Sequence, residues 1–325
     1  QDEAIMALGG VITAARKLAD DAGRGIAARI DTSGPGGAVV MFNPFPYQQR
    51  SYVEYEPWLD WESWDKAGWG LADEAGRPVP YQKLEPQSSL NCGRVDLARL
   101  VFPVDLPPLG YRVYRFAHNV PTQPLPEQCR ASAEGLENDV LAVRVDAASG
   151  NIMSCRHKAS GVDLVGPGAW NVAQVLEDTS GTWSHDERAF AHVLGCFGKT
   201  RVTVGEQGPL QASLYIERAW ENSVWLQQLT VRAGVAEVLV RNWLHWQGTQ
   251  RVVKLAFSLA AQQVTARRDV PFGSFAMPTD GREMPLQMWM DAQGRAANGL
   301  TVGLAVLNDG KYGGDVAGDT MRLTV

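Results

Sequence analysis

The chain has 325 residues, of which 45% are hydrophobic and 20% are charged, and its formal net charge is −6. This length suggests about two domains, and this composition excludes a wholly disordered chain. The acidic balance does not favour a nucleic-acid-binding surface, and no apolar run approaches the length of about 18 residues that a membrane span needs.

The first thirty residues predict one amphipathic helix. Apolar residues recur at helical spacing from Ile5 to Ala22, and Gly23 and Gly25 follow as stop signals. We therefore predict a helix at 2–22 within a segment that covers residues 1–31. An apolar stripe on a single helix needs a partner, and no comparable second helix follows it.

The region 38–118 is typical of a small antiparallel β-sandwich. A linker, TSGPGG, precedes it, and a Pro-rich hinge at 119–128 follows it. Short alternating runs punctuated by Gly and Pro predict strands at 39–46, 51–57, 79–85, 98–106 and 111–116.

The region 130–325 carries longer strands and predicts a large antiparallel supersandwich, so the fold class is mainly β. The predicted strands lie in a hairpin at 141–158 and at 199–206, 210–220, 224–234, 236–246, 252–259, 300–309 and 320–325. The last run is compatible with a protected edge strand or with a sheet cut short, and its pattern alone leaves both interpretations open.

Four cysteines, Cys92, Cys129, Cys155 and Cys196, lie too far apart for a CxxC motif or a zinc-finger pattern. A chain of this size can bury a core without disulfides, so we predict four free thiols. Free thiols favour a reducing compartment, which points to a cytoplasmic protein.

Six segments carry motifs that can be compared with known families: 39–50 (VVMFNPFPYQQR), 136–161, 177–186 (EDTSGTWSHD), 241–259, 269–279 (DVPFGSFAMPT) and 302–325. In this order the chain resembles the middle and C-terminal, non-catalytic part of the bacterial α-mannosidases of glycoside hydrolase family 38. It departs from the family pattern at Gln247, where an acidic residue is usual, and at Met288, where an arginine is usual.

The resemblance implies a galactose-mutarotase-like supersandwich, truncated at its C-terminus, and an N-terminal helix that comes from a three-helix bundle. It also implies a zinc-dependent retaining enzyme whose metal and catalytic residues lie in a preceding α/β domain. None of the five histidines here is followed two residues later by Asp, as the family's metal site requires. We therefore expect no catalytic residue and no metal in this chain, and an inactive fragment.

The partners that the resemblance implies are the missing catalytic domain and a mannose-containing oligosaccharide or glycoside. We expect neither nucleic acid nor a membrane as a partner, and association with a second copy is compatible with the sequence. The parent protein would then be a bacterial hydrolase of mannose metabolism.

Asn308, Asp309, Lys311 and Tyr312 are candidate residues of a substrate cleft. They follow a strongly apolar strand and precede Gly313 and Gly314, as polar residues in a loop at a strand end do. The alternative is a turn held by hydrogen bonds of the Asn308 side chain. The resemblance implies that this loop approaches the sugar.

Trp183 and His185 are further cleft candidates, since an indole stacks on a sugar face and an imidazole bonds a hydroxyl. A structural role in the rim is the alternative. The cluster of Trp58, Trp61, Trp64 and Trp69 fits either sugar stacking or packing. The remaining strand tryptophans are predicted to pack in the core, and they are Trp220, Trp225, Trp243 and Trp246.

Two other functions remain open at this stage. A stand-alone, non-enzymatic carbohydrate-binding or scaffold module would have the same strand pattern. An isomerase or lyase built on a large sandwich would need a His/Glu or Tyr/Arg constellation on the concave face, where the predicted strands are mostly apolar.

Overall fold

The computed structural model describes residues 2–34, 36–57, 63–86, 98–121, 125–181 and 188–325. The chain forms two compact units, Gln1–Leu125 and Pro126–Val325. Both consist mainly of antiparallel strands, which confirms the predicted fold class. Within these ranges no helix is both long enough and apolar enough to span a membrane.

The described part of the first unit contains one helix and six strands. These are α1 (Asp2–Ala27), β1 (Ala38–Phe42), β2 (Gln49–Tyr55), β3 (Trp69–Ala72), β4 (Gln82–Leu84), β5 (Arg99–Leu106) and β6 (Tyr111–His118).

Helix α1 continues past the glycines that were expected to stop it. Its hydrogen bonding reaches Ala28, whose N–H donates to the carbonyl of Arg24 over 2.9 Å. The predicted end at residue 22 was therefore wrong. A glycine inside a helix costs only about 1 kcal/mol, so Gly23 and Gly25 do not force the helix to end. No residue described in this helix is buried, and its apolar side chains, such as Leu8 and Leu18, are exposed.

The six strands form two three-stranded sheets, in the orders β1-β6-β3 and β2-β5-β4. The sheets share one core, in which the rings of Phe102 and Tyr114 are 5.3 Å apart. Trp64 and Trp69 are buried in this core, which agrees with the packing interpretation for these two tryptophans. Trp58 and Trp61 lie outside the described residues.

The described part of the second unit contains eighteen strands. They are β7 (Arg130–Ser132), β8 (Gly135–Glu137), β9 (Leu141–Val145), β10 (Ile152–His157), β11 (Val165–Glu177), β12 (Val193–Cys196), β13 (Gly198–Val204), β14 (Gln211–Trp220), β15 (Ser223–Arg232), β16 (Leu239–His245), β17 (Arg251–Leu259), β18 (Gln262–Val270), β19 (Gly273–Met277), β20 (Met284–Pro285), β21 (Trp289–Arg295), β22 (Thr301–Leu307), β23 (Gly313–Ala317) and β24 (Thr320–Thr324).

These strands form a ten-stranded sheet and two four-stranded sheets. The large sheet has the order β20-β23-β24-β17-β11-β10-β9-β8-β7, and β12 pairs with β11. The smaller sheets have the orders β13-β14-β15-β16 and β19-β18-β21-β22. Strand β24 pairs with β17 on one side and with β23 on the other, so the interpretation of its sequence as an edge strand was wrong.

Both four-stranded sheets cover the same face of the large sheet. Trp225 of β15 is fully buried and packs in one cluster with Val253 and Leu255 of β17. In the large sheet, Leu255 of β17 lies opposite Leu323 of β24, and Leu323 lies opposite Gly314 of β23. Residues directly opposite each other are on the same face of a sheet, so all three are on the face that Trp225 covers. A Cβ at Gly314 would lie only 3.0 Å from the sulfur of Met290 in β21, so the second small sheet packs there.

The tryptophans of the first small sheet divide between its two faces. Trp220 and Trp246 are partly buried against the core around Trp225, as predicted. Trp243 is 51% exposed, so its predicted core position was wrong. It lies opposite Leu226 on the outer face of β16, which is at the edge of its sheet.

The opposite face of the large sheet carries a buried charge cluster. Lys254 and Asp315 are both fully buried, and the lysine Nζ lies 2.5 Å from the carboxylate of Asp315. Arg322 binds the other oxygen of the same carboxylate at 2.7 Å, and Glu283 also pairs with Lys254. Two positive and two negative side chains thus balance one another on this face of the sheet, and losing one of them leaves a buried charge unpaired.

We predict that Asp315→Ala lowers the free energy of unfolding by about 3–5 kcal/mol, because it leaves Lys254 and Arg322 short of a counter-charge. Urea denaturation measures this loss. The matched control is Glu217→Ala, which removes one partner of the exposed pair with Arg201 and should cost about 0–1 kcal/mol. Equal losses in the two variants would contradict the prediction.

The described cysteines are free thiols, with Cys129 and Cys155 buried and Cys196 exposed. Burial raises the pKa of Cys129 and of Cys155 to about 12, which suppresses the reactive thiolate. Cys92 lies outside the described residues.

In a Cys92→Ser background, we predict that a thiol reagent labels Cys196 rapidly and labels Cys129 and Cys155 only as the protein unfolds. Mass spectrometry of the labelled peptides over time measures the three rates. Cys196→Ser should remove the fast phase, and a fast phase that persists in this variant would refute the prediction.

Candidate functional site

Three segments meet at one end of the sheet β19-β18-β21-β22. They are the turn 271–272 between β18 and β19, the 286–289 segment that enters β21, and the 308–312 loop that follows β22. The strand register brings them together, because Arg268 lies opposite Met290 and Trp289 lies opposite Leu307.

The 308–312 loop begins with a turn that Asn308 organises. The Asn308 Oδ1 accepts the N–H of Gly310 over 3.0 Å and the N–H of Lys311 over 2.6 Å. This is the turn, held by the Asn308 side chain, that was predicted as the alternative to a substrate cleft. It leaves the side chains of Asp309, Lys311 and Tyr312 exposed, so the turn and a binding role are compatible.

The 286–289 segment binds the loop through its backbone. The N–H of Asn308 donates to the carbonyl of Met288 over 2.7 Å. The N–H of Leu286 donates to the carbonyl of Tyr312 over 3.0 Å. Both ends of the 308–312 loop are therefore held by one neighbouring segment.

Asp269, near the end of β18, in turn holds the 286–289 segment. Its carboxylate accepts the N–H groups of Gln287 and Met288 at 2.8 Å each and that of Trp289 at 3.2 Å. The residue is only 8% exposed. Burial is the largest single influence and favours the neutral acid, but the three N–H donors together outweigh it and lower the pKa of Asp269 below its usual range.

Large apolar side chains surround this loop and face solvent. Met288 and Leu307 are exposed, and Tyr312 is 68% exposed. Phe272, at the tip of the turn 271–272, is fully exposed and has a φ of 65°. A bulky residue rarely adopts this left-handed conformation, and such outliers cluster at functional sites.

The arrangement can bind a polar ligand that also has an apolar face. Lys311 and Asp309 supply a donor and an acceptor, and Tyr312 supplies a ring and a hydroxyl. Glycoside hydrolysis by the usual route needs two carboxyl groups flanking the bond. Asp269 is occupied by three backbone donors, so it is not available as a second carboxyl group beside Asp309.

The described histidines are engaged in separate local contacts. His118 stacks on Trp69 with ring centroids 3.8 Å apart, and His192 lies 2.8 Å from a carboxylate oxygen of Glu177. His157 pairs with Ser160 and His245 with Gln247. In the described ranges, no three His, Cys, Asp or Glu side chains come together as a metal site.

The structure brings four of the six candidate residues into one loop, and it does not describe the other two. Trp183 and His185 lie outside the described residues. Asp269 and its hydrogen bonds to the 286–289 segment were missed from the sequence. The DVPFG motif marked a turn, but nothing in it indicated that its aspartate would accept N–H groups from residues 287–289.

Comparisons with known proteins agree with this architecture. The family described as "Glycosyl hydrolases family 38 C-terminal domain" matches residues 136–325. Human alpha-mannosidase 2C1 is 27% identical over 206 residues, which cover 58% of this chain and 19% of the human protein. The mouse protein of the same name is 26% identical over the same lengths.

A solved structure matches over almost the whole chain. The crystal structure of an alpha-mannosidase from Enterococcus faecalis V583 superposes with a TM-score of 0.68 and 13% identity. The match covers 95% of this chain and 42% of that one, and at this identity it shows the fold alone. The chain thus spans about a fifth of the curated relatives and less than half of the solved one.

We predict that Asp269→Asn lowers the free energy of unfolding at pH 7. The difference in this free energy between the variant and the wild type should become smaller as the pH falls. The folded pKa lies below the unfolded value of about 3.9, so the stabilisation is complete well above that pH and is lost as the pH falls through the folded pKa. Urea denaturation at pH 7, 5 and 3.5 measures the difference.

Asp291→Asn is the control for this prediction. Asp291 lies in the neighbouring strand β21, opposite Arg267, and makes no such set of backbone hydrogen bonds among the described residues. The prediction fails if Asp269→Asn matches the wild type at pH 7, or if its deficit stays constant down to pH 3.5.

Proposed function

Because the chain belongs to glycosyl hydrolase family 38, we propose that it forms the C-terminal β portion of a zinc-dependent, retaining α-mannosidase-like enzyme. In this role it supports the catalytic domain and lines part of the sugar cleft. The observation that carries the proposal is the family match over residues 136–325, and the structural match over 95% of the chain adds the fold.

In this proposal the chemistry takes place in a part of the enzyme outside these 325 residues. Zinc would orient the sugar and stabilise charge there, and two carboxyl groups would act as nucleophile and as acid. The described residues contain no cluster of metal-binding side chains, so the proposal gives this chain a supporting role.

The 308–312 loop is the part of the chain that we propose faces the sugar. Support comes from the exposure of Tyr312, Lys311 and Asp309 on a backbone that is fixed by hydrogen bonds at both ends. A preorganised loop loses little conformational freedom on binding, which favours affinity. The substrate class proposed is a mannose-containing oligosaccharide or glycoside.

We predict that the purified 325-residue chain does not hydrolyse an aryl α-mannoside, with or without added zinc, whereas the full-length enzyme does. In the full-length enzyme, Tyr312→Ala should raise KM about three- to tenfold, because it removes an aromatic contact with the sugar. Steady-state kinetics on 4-nitrophenyl α-mannoside measures both.

Tyr47→Ala is the matched control, since Tyr47 is an exposed tyrosine in the first unit, where it stacks on Phe45. It should leave KM unchanged. Zinc-dependent turnover by the isolated chain would overturn the assignment of the chemistry. An unchanged KM in Tyr312→Ala would overturn the assignment of the loop to the cleft.

A further inference from the structure

We propose that Asp269 is a positioning residue for the sugar-facing 308–312 loop. This inference rests on the proposed function and adds to it the group that sets the conformation of the loop. Asp269 itself is buried and its carboxylate binds the N–H groups of residues 287–289, so it acts through the 286–289 segment.

The connection runs through backbone hydrogen bonds that follow one another directly. The carboxylate of Asp269 accepts the N–H of Met288, and the backbone carbonyl of Met288 accepts the N–H of Asn308. A second connection runs from Leu286, whose N–H donates to the carbonyl of Tyr312. A displacement of the 286–289 segment therefore displaces both ends of the loop.

An ionised carboxylate satisfies all three N–H groups at this position. Its two oxygens are acceptors only, and here one receives two donors and the other receives one. An asparagine has the same shape but turns one acceptor into a donor, which would face an N–H group of the segment. The 286–289 segment would then have to move, because a buried donor without an acceptor is costly.

The local geometry leaves few other groups to hold the segment. Arg268 is the neighbour of Asp269 on β18, and its guanidinium donates to the carbonyl of Pro285, one residue before the segment. Across the sheet, Ser274 lies opposite Asp269 on β19 and supplies no charge. The hydrogen bonds that the Asp269 carboxylate accepts are thus a direct polar link between β18 and residues 287–289.

The test compares Asp269→Asn, Tyr312→Ala and Asp291→Asn in the full-length enzyme. Asp269→Asn should raise KM for 4-nitrophenyl α-mannoside about three- to tenfold with kcat nearly unchanged. The loop contacts the sugar equally before and during the reaction, so its displacement weakens uniform binding. Asp291→Asn, with the same loss of charge in the same sheet, should change neither parameter.

Hydrogen–deuterium exchange gives a readout that general destabilisation would not reproduce. In Asp269→Asn, exchange should rise at the amides of 287–289 and in the 308–312 loop by more than the increase that the loss of global stability causes at the paired strands β11 and β17. An equal increase throughout the second unit would indicate a merely structural role and would overturn the proposal.

The outcomes separate this inference from the proposed function. A raised KM in Tyr312→Ala with unchanged KM and loop exchange in Asp269→Asn would overturn the positioning role and leave the proposed function intact. Faster loop exchange in Asp269→Asn with no KM change in either variant would overturn the loop's place in the cleft. If Asp269→Asn does not fold, Asp269→Glu takes its place, because its longer carboxylate must shift residues 287–289. Unchanged loop exchange in Asp269→Glu would overturn the proposal.

Discussion

The second unit depends on the need to cover both faces of one ten-stranded sheet. On one face, Leu255, Leu323 and Gly314 lie in one row across three strands, and two smaller sheets pack on this side. Burial of that apolar surface is the main stabilising contribution, and its largest fully buried side chain is Trp225. The second small sheet is fixed in place by this packing, and it carries the 308–312 loop at its end.

The other face of the sheet carries a cluster of buried charged side chains. Lys254 and Asp315 are fully buried and are balanced by Glu283 and Arg322. Such a cluster gives little net stability compared with apolar residues, but it tolerates few alternative arrangements. Glu283 also donates its backbone N–H to the carbonyl of Arg188 over 2.9 Å, so one member of the cluster is bound to the chain at residue 188.

The sequence predicted the strands whose apolar residues alternate, such as β14, β15 and β17. It missed β11 and β18, where the local pattern contradicts the structure. Strand β11 contains Gly166 and Gly168, which read as a loop, yet a side chain at either position would collide with Ser258 of the neighbouring strand. The sequence of β18, QQVTARRDV, has little apolar alternation, and it is held as a strand by pairing with β19 and β21.

The candidate site was predictable in part for a similar reason. Polar residues after the apolar strand β22 marked the 308–312 loop, because strand ends are readable from local sequence. The role of Asp269 was not readable, because its three donors come from residues 18 to 20 positions further along the chain. Helix α1 is an example of a local signal that was misleading. Gly23 and Gly25 indicated the end of the helix, but its backbone hydrogen bonding continues past both glycines.

Under the proposed function, this chain supports the catalytic domain and presents one exposed loop, and the reaction takes place on groups outside these 325 residues. The most direct test is a structure of the full-length enzyme with a bound mannose-derived inhibitor. The account predicts that the Tyr312 hydroxyl or the Lys311 Nζ lies within about 3.5 Å of a sugar oxygen, or that the Tyr312 ring stacks on the sugar. A sugar bound far from the 308–312 loop, with Tyr312 and Lys311 facing bulk solvent, would contradict it.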